Sequence, residues 1–282
     1  MAEAPILTVD SDGPVRIVTL NKPDTLNAMS HDLHNALASV WQQLSGDWDA
    51  RVVVLTGAGR AFSAGGDVPG FLETLKNADH RRSGFREAGR MVTEMLRFHL
   101  PVIAAVNGPA VGLGASVAVM CDIVYMADTA FLADPHVAMG LVAADGGSVT
   151  WPSMMSILRA KEYLFTGDRI YAKDALNLGL ANRVFTADQL MPEALAFAHR
   201  LAELPAQPLQ DTKRAINLHL TAAAARVLPY ALAAEELSFS FPDVGRIAQG
   251  FAERAEKKAE EKAEKKKAAA AGSEDSGADR DH

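Results

Sequence analysis

The chain has 282 residues, a formal net charge of −7 and a single cysteine, Cys121. The length suits one α/β core with appended helices, and the acidic balance argues against a nucleic-acid partner, which would call for a basic face. A lone thiol excludes an internal disulfide framework and fits a reducing compartment. Hydrophobic residues make up 49% and aromatics only 6%, so the core is expected to be large and aliphatic. The opening "MAEAPILTVD" has neither the basic nor the apolar region of a signal peptide. The longest near-apolar run, 110–121, is too short to span a bilayer. A soluble, cytoplasmic protein is the expectation.

"VRIVTL" (15–20) predicts a strand, "NKPDTLNAMS" a loop closing on a helix cap at Ser30, and "LHNALASVWQQL" an amphipathic helix. "RVVVLTG" (51–57) predicts a buried strand that ends on glycine and runs into the glycine-rich "GAGRAFSAGGD". A polar, charged segment over 71–90 leads into a helix ending near His99, because Pro101 blocks continuation. "PVIAAVNG" predicts a further buried strand, "GPAVGLGASVAVMCD" a loop feeding a buried helix, and "IVYMAD" and "AFLAD" short strands. Beyond Gly147, helical patterns occupy 148–166, 172–178, 187–204, 208–220 and 224–239. The alternation in the first half predicts parallel crossovers and an α/β fold. The expected units are a core over 1–200, a helical C-terminal lobe over 201–255 and a charged, low-complexity tail over 256–282 that is expected to be disordered.

Two glycine-rich turns each follow a buried strand: "FSAGGD" after "VVVLTG" and "AVGLGAS" after "VIAAVNG". A glycine turn that opens a helix presents free N–H groups at the positive end of the helix dipole. Two such turns at neighbouring strand ends could aim two donors at one oxygen, the design of an oxyanion hole. "GAGRAF" lacks the third glycine of a dinucleotide fingerprint and the downstream acid. There is no phosphate-loop lysine and no metal-ligand spacing. Asp134 and His136 alone do not make a metal site, and none is expected.

"AFSAGGDV", "PVIAAVNGPAVGLGASVAVMCDIVYMAD" and "LFTGDRIYAKDALNLGLANRVF" resemble the crotonase (enoyl-CoA hydratase/isomerase) superfamily, and the likeness runs from about Val15 to Arg254. The resemblance implies a crotonase-like ββα spiral core with C-terminal helices that build a homotrimer or a dimer of trimers. It implies acyl-CoA thioester substrates, with coenzyme A entering as part of the substrate and no permanently bound cofactor, and hydratase- or isomerase-type lyase chemistry in fatty acid metabolism. The implied oxyanion donors are the backbone N–H groups of Gly66 and Leu113, the latter where the family usually has glycine. "NKPDTLNA" matches the coenzyme-A-binding loop, with Lys22 placed for phosphate charge and Ala28 for backbone contact. The Ala64 carbonyl would accept from the adenine amine, and Phe251 would line the pantetheine tunnel from this or a neighbouring subunit. Hydratases of the superfamily resemble one another in using two glutamates, and those two places hold Ser116 and His136 here. On this reading the chain is an atypical member.

The stretch "FLADPHVAMGLVAADGG" (131–147) then becomes the informative one. An imidazole with an ordinary pKa near 6.5 suits proton movement at neutrality. Asp145 could accept from one ring nitrogen of His136 and fix its tautomer, or itself be the acid/base with His136 only shaping the pocket. The bland alternative is a satisfied polar pair in a glycine-rich loop. Asp67 is expected to tie down its own loop, and Ser116 is a secondary candidate. His31, His34, His80, His99, His199 and His219 are expected to be surface or capping residues. Three functions stay open: an enzyme on an acyl-CoA thioester, a carbon–carbon bond hydrolase of a cyclic β-diketone, which a similarly spaced His and Asp favour, and a catalytically idle acyl-CoA-binding or assembly subunit.

Overall fold

The computed structural model describes residues 4–254 and Lys257; the charged tail expected over 256–282 lies, apart from Lys257, outside them. Strand β1 (Leu7–Asp12) turns through Gly13 into β2 (Val15–Leu20), and the two pair antiparallel. Helix α1 (His31–Ser45) leads to β3 (Val52–Gly57), and helices α2 (Val68–Lys76) and α3 (Ala78–Arg97) lead to β4 (Val102–Val106). Next come β5 (Ala110–Val111), α4 (Leu113–Met120), β6 (Ile123–Ala127) and β7 (Phe131–Ala133). The remainder is α5 (Gly147–Met154), α6 (Ile157–Thr166), β8 (Ile170–Tyr171), α7 (Ala172–Leu178), β9 (Arg183–Phe185), α8 (Ala187–Ala202) and α9 (Ala206–Ser238). Residues 242–254 are again helical.

The main sheet runs β1-β2-β3-β4-β6-β9, parallel except for its first pair, and β5-β7-β8 form a small second sheet. All six residues of β3 and all five of β4 are buried, as a parallel sheet covered on both faces requires. Helix α1 turns Leu33, Leu37, Val40, Trp41 and Leu44 to the core at helical spacing. Helix α8 crosses β3, β4 and β6. Cys121 is buried and unpaired. Among the described residues no helix is long and apolar enough to cross a membrane.

Several elements differ from the sequence expectations. The polar segment over 71–90 is helical, split at Asn77, whose Oδ1 accepts from the amides of Asp79 and His80 and so starts α3. The helix expected over 148–166 is two, because Ser156 is extended and caps α6 by accepting from the Arg159 amide. The helices expected over 208–220 and 224–239 are one helix of 33 residues, since the alanine run between them propagates a helix rather than breaking it. Buried Lys213 pins α9 to the sheet: its Nζ lies 2.7 Å from both the Leu100 carbonyl and the Asp122 carboxylate. Strands β1, β8 and β9 were not expected, nor was β5, whose residues were read as loop.

Candidate active site

Asn27 builds the loop between β2 and α1. Its side chain is fully buried, donates to the Ala58 and Ala61 carbonyls at 2.9 Å and accepts from the Lys22 amide at 2.8 Å. Leu26 and Asn27 both take left-handed torsions (φ 56°). Ser30 occupies the expected cap position of α1, but its hydroxyl does not cap: it accepts from Lys22 Nζ at 3.1 Å. The loop is joined to the turn after β3, where the Ala64 amide donates to Leu26 O and the Met29 amide to Gly65 O.

The two glycine-rich turns press against each other. A Cβ on Gly65 (φ +83°) would stand 2.5 Å from Val111 O, and one on Gly114 would stand 2.7 Å from Ser63 Cβ. Gly66 lies against the Phe71 ring with no room for a Cβ. Gly112 (φ +51°, ψ −122°) precedes α4, so Leu113 is the first residue of that helix, where the N–H groups have no acceptor one turn back. Gly65, Gly66, Gly112 and His136 line one cavity of about 200 Å³, together with Ala64 and Phe251 of the same chain. Lys22 and Ala28 belong to the loop beside it. Asp67 starts α2 without a side-chain cap bond and lines a separate cavity with His34 and Glu87.

His136 stands between two buried carboxylates. Its Nδ1 bonds Asp134 Oδ1, and its Nε2 lies 3.2 Å from Asp145 Oδ2. The other oxygen of Asp145 accepts from the Ser116 hydroxyl at 2.7 Å. Ser116 reaches it from α4, the helix that the second glycine turn opens. Asp134 and Ser116 are each 1% exposed and Asp145 7%. On the far side of Nε2, at 3.9 Å, is Oε1 of Glu235 from α9.

Burial disfavours a charged imidazole, but Asp145 and Asp134 outweigh it and hold His136 well above the usual imidazole range. Burial likewise penalises the Asp145 carboxylate, and the His136 imidazolium and the Ser116 hydroxyl bring it below the ordinary range. Burial pushes Glu235 up to about 8, the nearby Asp145 and Asp134 carboxylates adding to it against the opposing pull of His136. The surroundings thus favour a cationic His136, an ionised Asp145 and a protonated Glu235. Asp134, His136 and Asp145 offer ligand atoms within 4.8 Å of one another. The imidazole nevertheless gives opposite nitrogens to the two carboxylates, so a single ion could bind all three only by breaking one of these contacts.

Three features depart from the sequence reading. His136 is not an imidazole poised near 6.5; its two carboxylates make it a cation. Asp134, noted only as a neighbour, is its direct partner. His34 is not a surface residue: it is 9% exposed, and burial holds it below the usual imidazole range. Glu235 escaped notice because "ALAAEELSFSF" reads as an ordinary amphipathic helix. The one available signal was a glutamate on that helix's buried face.

With this geometry in place, comparison with known proteins is informative. Residues 10–262 match the enoyl-CoA hydratase/isomerase family. The short-chain-enoyl-CoA hydratase of Clostridium acetobutylicum is 33% identical over 211 residues, 74% of this chain and 80% of that protein. The chain belongs to the enoyl-CoA hydratase/isomerase family. A solved enoyl-CoA hydratase/isomerase from Mycobacterium paratuberculosis is 51% identical with a TM-score of 0.84, over 87% of this chain and 98% of that one. A monofunctional enoyl CoA isomerase from M. smegmatis is 30% identical with a TM-score of 0.65, over 78% and 98%. The enoyl-CoA hydratase/isomerase family acts on acyl-CoA substrates, and its crotonase-type fold is the one described above.

Proposed function

We propose that this enzyme acts on an acyl-CoA thioester by stabilising an enolate. The carbonyl oxygen is held by the main-chain amides of Gly66 and Leu113, and protons are moved by His136 and Asp145. The observation that carries this reading is the buried Asp134–His136–Asp145 line at the wall of the cavity that the two glycine turns share. A Cβ on Gly112 would lie only 3.5 Å from His136 Cε1, so the imidazole edge adjoins the second turn directly.

The roles follow from the charge states. An imidazolium cannot accept a proton, so His136 gives one from Nε2, and ionised Asp145 is the base. Asp145 takes a proton from the carbon beside the thioester carbonyl. The resulting negative charge moves to the carbonyl oxygen, where each amide donor is worth about 2.7–4 kcal/mol in the transition state. His136 then protonates the enolate carbon framework. Ser116 holds Asp145 Oδ1, and Oδ2, 3.2 Å from His136 Nε2, is the oxygen assigned to proton transfer. Lys22, Ala28, Ala64 and Phe251 are assigned to the coenzyme A moiety; Ala64 and Phe251 line the cavity, which supports their part of the assignment. Exposed Ile157, Leu158 and Phe165 on α6, with Ile216, Leu218 and Leu237 on α9, support self-assembly, a homotrimer in the first instance; sedimentation velocity tests that.

The decisive experiment incubates the enzyme with a panel of acyl-CoA thioesters in D2O and follows exchange at the α-carbon, double-bond migration and hydration by mass spectrometry. His136→Ala and Asp145→Asn should each lower turnover about 10²–10⁴-fold. Full activity in both variants would remove the site assignment. Coenzyme-A-independent cleavage of a bicyclic β-diketone, with no thioester turned over, would replace the substrate class. Tight thioester binding with no exchange at all would leave a binding subunit.

A further inference from the structure

We propose that Glu235 is a proton-holding residue that acts through His136, returning to its Nε2 the proton the imidazolium gives up in each turnover. The inference rests on the proton-transfer roles just proposed for His136 and Asp145. Glu235 belongs to α9, outside both glycine turns and outside the wall that carries His136, and it is 7% exposed. Helix α9 packs on α5, whose start follows Asp145 by two residues, so the glutamate arrives opposite the Asp145 carboxylate. Its Oε1 lies 3.9 Å from His136 Nε2, and His136 is its one ion-pair partner among the described residues. A shift of about 1 Å along a flexible side chain brings that oxygen into hydrogen-bond reach.

The charges around it explain why this carboxyl carries a proton. Asp134 and Asp145 already take both ring nitrogens of His136, and a further anion in the same buried volume would have no partner of its own. The groups that act on Glu235 are His136, Asp145 and Asp134. From α1, His34 acts on Asp145 as Asp145 acts on it, and Glu87 and Arg90 from α3 act on His34. Burial and the two aspartates therefore keep Glu235 protonated up to about 8.

The cycle balances without any outside reactant. Asp145 removes a proton from the substrate carbon, and Nε2–H delivers one back at the position that becomes saturated. The N–H bond breaks, and the imidazole keeps its lone pair at Nε2. Glu235 Oε1–H then breaks as a new Nε2–H forms, leaving a Glu235 carboxylate beside a restored imidazolium. That carboxylate then takes the Nε2 proton back as Asp145 passes its own to Nε2, 3.2 Å away, and every group returns to its starting state. Such a two-carboxyl store suits a proton shift between two carbons of one acyl chain, because nothing has to enter from solvent.

The test uses the full-length protein labelled with ¹⁵N-histidine, in wild type, Glu235→Gln and Glu235→Asp. The His136 ring nitrogens should show, besides their own titration, a step near the point where Glu235 ionises. Glu235→Gln should lose that step and Glu235→Asp should keep it. With any thioester whose α-proton the wild type exchanges, Glu235→Gln should lower kcat about tenfold or more and leave KM within about twofold. Glu235→Asp should recover most of the lost rate. A Glu235→Gln protein that retains the step, or that retains full kcat, overturns the proposal. If the wild type exchanges no thioester proton, the proposed function falls instead, and the imidazole step alone decides whether the two residues share a proton.

Discussion

Gly147 opens α5 directly beneath the His136 cluster, and replacing it by alanine tests the packing of that cluster. A Cβ there would press into Asp134 Oδ2 and stand 3.6 Å from Asp134 Cγ and 3.4 Å from Leu164 Cδ2. Asp134 is 1% exposed and held by His136 Nδ1, so it cannot swing into solvent. Overpacking of this kind costs about 1–3 kcal/mol. Forcing Asp134 off the imidazolium removes a charged hydrogen bond worth about 1.5–3 kcal/mol. The smaller backbone entropy of alanine in the unfolded chain returns about 0.4–1 kcal/mol. The net loss expected for Gly147→Ala is about 2–5 kcal/mol, read from urea unfolding at pH 7. In an Asp134→Ala background the obstructing oxygen is gone and the new methyl enters the vacated space. There the same substitution should cost less than about 1 kcal/mol, a coupling that a double-mutant cycle resolves. Equal losses in both backgrounds, or wild-type stability for the single variant, would refute the argument.

Ser116→Ala removes the 2.7 Å hydrogen bond that helps keep Asp145 ionised. The acidic limb of the pH–rate profile should move to higher pH, while turnover at neutrality, well above it, changes little. Gly112→Ala has space for its methyl but not the torsion (φ +51°). It should cost about 1–3 kcal/mol by thermal unfolding and, by misplacing the Leu113 amide, lower turnover about 10²-fold. Stability should also fall as pH rises. Glu235 has its pKa raised from 4.5 to about 8 on folding, so its contribution is complete below 4.5 and lost as pH climbs through about 8. His136, also raised, adds a loss of the same sign above 6.5. Asp145 is lowered and acts oppositely, its contribution present above 3.8 and lost on acidification. Urea midpoints at three pH values between 5 and 9 should decline in the wild type and decline less steeply in Glu235→Gln, where the His136 loss remains.

The central strands of the sheet were legible because they are uninterrupted apolar runs: Val52–Leu55 and Val102–Val106 admit little else at that length; the exposed edge strands β1 and β9 carry no such run. The joints between helices were less so. Ser156 and Asn77 create boundaries through single side-chain bonds that leave no trace in periodicity, and "TAAAARV" looked like an interruption although it continues α9. The site was legible where chemistry is local in sequence, in the two glycine turns and in His136 with Asp145. It was opaque where charge is shared through space. Nothing in the composition of the wall reveals that Asp134 and Asp145 take opposite ring nitrogens, nor that a glutamate ninety residues downstream joins them. The pKa directions of His136 and Glu235 are properties of that convergence and of no single segment.

The contact of Gly114 on Ser63 has an evolutionary consequence. Because only a hydrogen fits between α4 and the turn after β3, the main-chain scaffold facing the thioester is fixed, and substitutions there would pry the two turns apart. Tolerance lies instead in Phe71, Met139, Leu141 and Phe251, which furnish the cavity's apolar lining with side chains rather than backbone. Variation in acyl preference among descendants of this enzyme should therefore accumulate at Phe71, Met139 and Leu141, while the framework beneath them stays unchanged.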